Sequence, residues 1–175
     1  KTLLQGLAGH RLAKQQAIIP AGYPPIDISI RQVKDLNTTE KVITYAPTPL
    51  IGKKEWEPYA SAKSHGPQII DALARAFPDY EIVFKPFPNE EKSIVEAIRQ
   101  SGEKFPNFSI DLSGGSHTEL YNRSALMISD FSSTAFTFGF SQLKPVLFFS
   151  HNEEALPDKI LRSPYCESRE LLGGI

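Results

Sequence analysis

The amino-acid sequence predicts an α/β domain, a Rossmann-like open parallel sheet with helices on both faces. Two observations carry this. Strand-like and helix-like segments alternate along nearly the whole chain. The strand-like segments are also short, nearly continuous apolar runs, as expected when both faces of a parallel sheet are covered. Right-handed crossovers then set such strands side by side in an open, layered structure.

Leu3 to Gln15 has helical composition, and Ala17-Ile18-Ile19-Pro20 is a short apolar run ending at a Gly-Tyr-Pro-Pro turn. A short helix is expected over Ile26 to Leu36. Lys41 to Ala46 is rich in β-formers and stops at Pro47. Gln68 to Phe77 places apolar residues on one helical face, and Pro78-Asp79 breaks it. Tyr80 to Phe84 reads as a buried strand. Glu91 to Gln100 repeats the helical pattern, with Gly102 as its stop. Phe108 to Leu112 is a strand, followed by Ser113-Gly114-Gly115 and a helix over Ser116 to Arg123. Ala125 to Ser129 is a compact strand, Ser132 to Ser141 a helix, and Pro145 to Phe149 a last strand. Asn152 to Ile175 has no clear pattern. Ligands of such sheets sit outside the carboxyl ends of the strands. Chemistry is therefore expected in the turns after Ala46, Phe84, Leu112 and Ser129.

The chain of 175 residues suffices for one well-buried domain and is short for two. Hydrophobic residues make up 41% and charged residues 22%, a globular balance. Nineteen basic residues offset twenty acidic ones, so nothing suggests a nucleic acid held by clustered positive charge. The single cysteine, Cys166, excludes an internal disulfide and suits a reducing cytosol. No run of about 18 apolar residues forms a spanning helix. The chain opens on Lys1 in helix-like sequence, which reads as a piece excised from a longer protein.

The strongest local signal is Met127 to Phe136, where a strand ends in Asp130 and Ser132-Ser133-Thr134 open a helix. A helix start offers unpaired N–H groups and the positive end of its dipole, and added hydroxyls make a seat for phosphate oxygens. Capping is the competing reading, although one such residue would suffice for it. Thr48, in Ala46-Pro47-Thr48-Pro49, is placed to bond a ligand at the sheet edge, unless the prolines merely stiffen the loop. Lys85 leaves its strand near a phosphate or leaving group, or else is a solvated lysine. Gly22 lies in a tight turn that is either structural or close to an interdomain cleft. His117, beside Gly114-Gly115, either reaches a ligand or is an exposed helix-start residue. His10, His65, His117 and His151 show no metal-site spacing, and no G-x-S-x-G or G-x-x-x-x-G-K motif occurs.

Together these turns resemble the C-terminal domain of the CDP-glycerol glycerophosphotransferase family, which builds teichoic acids and related capsule polymers. Ile128 to Ser133 is similar to the family's Asp-aromatic-Ser-Ser element, and Lys144 to Phe149 to the strand that follows it. Tyr45-Ala46-Pro47-Thr48 resembles its Ala-Pro-Thr turn, and Gly22-Tyr23-Pro24 with Asp27 its Gly-x-Pro-Arg-x-Asp turn. The match covers roughly residues 17 to 150.

The resemblance implies a GT-B architecture of which residues 1–175 are a single nucleotide-binding domain, the C-terminal half of a longer protein. Ser132, Ser133, Thr134 and Asp130 would form the nucleotide-diphosphate seat, with Asp130 shaping the turn. Thr48, Lys85, His117 and Gly22 would touch donor or acceptor, with Lys85 a helper in catalysis. The donor would be CDP-glycerol or a nucleotide sugar, and the product a teichoic acid, capsule or lipopolysaccharide polymer. The acceptor and catalytic base would lie largely on the N-terminal half. No metal or other cofactor is implied, and the domain would be cytoplasmic, with the full-length protein peripheral on the inner face of the plasma membrane.

Three positions depart from the family pattern. Phe87 stands for the histidine of Arg-Pro-His-Pro, Pro25 for the arginine of the Gly-x-Pro-Arg turn, and Thr137 for an acid beyond the serines. Each removes a polar or charged contact while leaving the diphosphate seat. A non-catalytic nucleotide-binding module and a nucleotide-sugar 2-epimerase-like enzyme are the alternatives.

Overall fold

The computed structural model describes residues 24–32, 40–51, 57–114 and 117–151. The expected helix at Leu3–Gln15, the turn carrying Gly22, and Cys166 lie outside them. The elements are α1 (Pro24–Gln32), β1 (Val42–Tyr45), α2 (Ser61–Ala76), β2 (Glu81–Phe84), α3 (Lys92–Gly102), β3 (Phe108–Ile110), α4 (Thr118–Arg123), β4 (Leu126–Ser129), α5 (Ser133–Gln142) and β5 (Val146–Phe148). All four strand pairings are parallel, in the order β3-β2-β1-β4-β5. This is the doubly wound arrangement expected from the sequence, and its topological switch point lies between β1 and β4.

Alternation along the strands builds two cores. Ile43, Tyr45, Ile82 and Phe84 face α2 and α3, where Ile70 and Ile98 meet them, all 1% exposed or less. Val42, Val83, Met127 and Val146 face the other way, against Leu120 and Tyr121 of α4 and Phe136 and Phe138 of α5. Burial on both sides explains why these strands read as unbroken apolar runs. Helix α1 packs on α5 and begins at Pro24, two residues before the expected start. Proline suits a first turn, whose N–H groups have no helical acceptor.

Helix α2 differs most from expectation. It begins at Ser61, seven residues before Gln68, and runs through Pro67. Its first half buries Ser61, Ala62 and Gly66, so it carries no apolar stripe to recognise. Small residues are needed because α3 comes close: a Cβ on Gly66 would sit 2.6 Å from Ile98 Cδ1. The Ser101 hydroxyl of α3 donates to the Pro67 carbonyl at 2.9 Å, fastening the two helices where the proline interrupts the ladder.

Gly102 also serves a different purpose from the one read in the sequence. It is the last residue of α3, and the residue after it, Glu103, is right-handed, so no left-handed cap is made there. Instead a Cβ at Gly102 would fall on the Phe108 ring of β3. Gly102→Ala should therefore destabilise the fold by about 1–2 kcal/mol, overpacking outweighing the better helix propensity of alanine. A urea-unfolding midpoint equal to or above the parent's would contradict this. The left-handed position falls on Leu143 (φ 52°), which ends α5.

Candidate functional site

The switch point gathers the loops after β1 and β4. Ser129 ends β4 with its hydroxyl donating to the Ala46 carbonyl at 2.6 Å, tying the two strand ends together. Asp130 follows, 2% exposed. Its Oδ1 accepts from the Thr48 amide at 2.8 Å and the Thr48 hydroxyl at 2.5 Å. Its Oδ2 accepts from the Ser61 amide and hydroxyl, both at 2.9 Å. Ser61 is the first residue of α2, so a carboxylate from another strand caps that helix and meets the positive end of its dipole. Tyr45 extends the network, its hydroxyl 2.8 Å from Ser61 Oγ. Burial holds the Tyr45 phenol far above its ordinary range.

This geometry corrects two expectations. Asp130 and Thr48 do not present free groups to a ligand, because each is bonded to the other in a buried clamp. The carboxylate also has the wrong sign for touching phosphate. The clamp holds the β4–α5 turn rigidly against the β1 loop, which agrees with a turn-shaping role for Asp130.

In front of the clamp is an open cleft of about 270 Å³. Ser132 and Thr134 line it from the first turn of α5, Lys85 from the end of β2, Ser113 from the loop after β3, and His117 and Tyr121 from α4. Ser132 is the N-cap of α5, and the Thr134 amide reaches its Oγ at a long 3.4 Å. The Ala135 amide donates to the Ser132 carbonyl at 3.1 Å, whereas the Ser133 and Thr134 amides stand before the first carbonyl that the helical ladder offers. Ser133 is exposed and does not line the cleft; its carbonyl accepts from the Thr137 hydroxyl at 3.4 Å. Gly22 lies outside the described residues.

The electrostatics of the cleft are set by neutral donors more than by net charge. Lys85 Nζ lies 3.0 Å from Asp111 Oδ2 and donates to the Ser113 carbonyl at 2.7 Å. Burial pushes the Asp111 carboxyl up, but bonds from Ser113 and the Lys85 ammonium outweigh it and hold the group below its ordinary value. The lysine is therefore largely compensated. The His117 and Tyr121 rings lie against each other with centroids 4.6 Å apart and planes tilted by 42°. Desolvation of His117 there, helped by Lys85, lowers its pKa below the ordinary imidazole value and favours the neutral ring. Burial pushes the Tyr121 phenol up to about 12, against a hydrogen bond with Thr134 that lowers it.

Lys85, His117, Ser132 and Thr134, singled out in the sequence, thus share one cleft. Tyr121 and Asp111 were not singled out. Tyr121 reads as an apolar position of a helix, and only the fold brings it to Thr134. Among the described residues, His65 and His151 pair outside this cleft, with ring centroids 4.3 Å apart. Among the described residues no helix is long and apolar enough to cross a membrane.

Fold and site define a class: a Rossmann-like domain with a cleft lined by hydroxyls and helix-start amides at its switch point. The family model for CDP-Glycerol:Poly(glycerophosphate) glycerophosphotransferase matches residues 7–173. The chain belongs to this family. The minor teichoic acid biosynthesis protein GgaB of Bacillus subtilis (strain 168) is 32% identical over 75 residues, 43% of this chain and 8% of GgaB. The wall teichoic acid polymerase TagF has a similar structure, with a TM-score of 0.51 and 24% identity over 87% of this chain and 41% of TagF. A TagF variant soaked with CDPG gives a TM-score of 0.53 and 25% identity over 89% of this chain and 40% of that one. The chain thus spans well under half the length of either relative.

Proposed function

We propose that this chain is the donor-binding half of a GT-B transferase that moves a glycerophosphate or glycosyl group from a nucleotide-diphosphate carrier to a bacterial surface polymer. The observation that carries this reading is the opening of the first turn of α5, with Ser132 and Thr134, onto the switch-point cleft shared with Lys85 and His117. Family membership supports CDP-glycerol as the donor, and a nucleotide sugar is the second choice. The N-terminal half of the full-length protein would bring the acceptor and the catalytic base, at the inner face of the plasma membrane.

In this reading the two phosphoryl groups sit against the amides and hydroxyls of α5. These donors would stabilise the charge that builds on the departing nucleotide phosphate. Lys85 is bound to Asp111 and would add to that stabilisation by turning one of its N–H groups toward the leaving oxygen. Calorimetry should detect CDP or UDP binding to the chain, and labelled CDP-glycerol or UDP-sugar should be turned over by the full-length protein. Failure of both nucleotides to bind would end the proposal. Binding without turnover would instead identify a module that kept the seat and lost the chemistry.

His117 supplies a pH dependence. Burial and Lys85 favour its neutral form, and an adjacent diphosphate would raise its pKa. The complex then holds more protons than the free protein, so affinity should rise several-fold as pH falls from about 8 to about 6. Because the ligand's own phosphate titrates near the lower limit, His117→Gln is the reference. The slope should flatten in that variant, and equal slopes would remove His117 from the site.

A further inference from the structure

Beside the phosphate cleft lies a larger one of about 590 Å³, within the size range of small-molecule sites. It is bounded by Pro86, Phe87 and Pro88 after β2, by Leu112 after β3, and by Lys92 and Arg99 of α3. Phe87 is 48% exposed and Leu112 60%, although both are large and apolar. Neither belongs to the two packed cores. Pro86, Phe87, Pro88 and Ser113 line both clefts, so the two join at Phe87.

We propose that this second cleft holds the base of the nucleotide, stacked on the ring of Phe87, with Leu112 as an additional apolar surface. The inference rests on the nucleotide reading above and assigns a ligand to a surface which that reading leaves empty. A nucleoside diphosphate has one strongly anionic end and one flat, largely apolar end. The joined clefts offer hydroxyls and amides at α5, the exposed ring and prolines where they meet, and Leu112 and Val95 beyond, rimmed by the charged Lys92, Glu96 and Arg99.

The backbone that carries the ring is also restricted before any ligand arrives. Proline on each side restricts the backbone, and the Glu90 amide donates to the Phe87 carbonyl at 3.0 Å, closing the turn. Glu90 in turn accepts from the amides of Leu50 and Glu91, which pins this turn to the loop after β1. A preorganised ring loses little freedom on stacking, so most of the contact appears as affinity. Because every base has a π-face, the ring should strengthen binding of CDP and UDP alike.

The test compares CDP with inorganic pyrophosphate, which has no base, by calorimetry on the parent chain, Phe87→Ala, Phe87→Tyr and Ser132→Ala. Phe87→Ala should weaken CDP binding roughly tenfold, the order contributed by one stacked base, and leave pyrophosphate unchanged. Phe87→Tyr should restore CDP affinity, and Ser132→Ala should weaken both ligands. If Phe87→Ala binds CDP like the parent, or loses CDP and pyrophosphate equally, the stacking proposal is overturned while the diphosphate seat stands. If the parent chain binds neither CDP nor UDP, the underlying reading falls and this inference with it.

Discussion

Asp130→Ala is expected to destabilise the fold by about 4 kcal/mol, the largest effect of any single substitution considered for this chain. The carboxylate is buried and accepts four hydrogen bonds from two residues far away in sequence. Its removal would leave the amides of Thr48 and Ser61 buried without acceptors, each costing about 1–3 kcal/mol. The Ser61 amide is also the start of α2, so the charge that complements that helix dipole would be lost. Asp130→Asn keeps one acceptor and should lose about half as much. Urea unfolding measures both. An alanine variant within about 1 kcal/mol of the parent would show that water or neighbouring groups satisfy these amides, and the clamp would lose its place in the account.

The clamp also shows what was and was not readable in the sequence. Ile43, Tyr45, Ile82, Phe84 and Met127 lie in unbroken apolar runs because both sheet faces are covered, so strand positions follow from composition alone. Strand order needs the long-range pairing of β1 with β4, which no local pattern encodes. Ser132 and Thr134 stand out in the sequence because three hydroxyl residues follow a strand and open a helix, a junction whose chemistry is local. Asp130 was given to the same seat because an acid beside serines looks alike whether it faces a ligand or a buried amide. Its partner Ser61 lies 69 residues away and lacks any local mark. The same distance problem hid Asp111 from Lys85. Small residues had the opposite effect at α2, where Ser61, Ala62 and Gly66 erase the periodicity that normally announces a helix.

Ser132→Ala combined with Thr134→Val should lower nucleotide-diphosphate affinity by about 100-fold, roughly 2.7 kcal/mol. The two hydroxyls are the α5 side chains that line the cleft, and bonds from neutral donors to an anion are each of the order of 1.5 kcal/mol or more. With Lys85 compensated by Asp111 and the neutral form of His117 favoured, little free positive charge remains to mask their loss. Ser133→Ala gives the contrast. Its side chain is exposed and outside the cleft lining, while its amide survives the substitution, so affinity should change less than about threefold. The neighbouring capping role makes a stability control necessary, because Ser132→Ala also removes the N-cap of α5 and should cost about 1 kcal/mol by itself. That loss acts on folding and not on binding once the protein is fully folded. Calorimetry at a temperature well below each variant's unfolding midpoint therefore separates the two effects. Should Ser133→Ala prove as damaging as the double variant, the ligand would approach α5 from its exposed side, and the cleft behind Ser132 would not be the diphosphate seat.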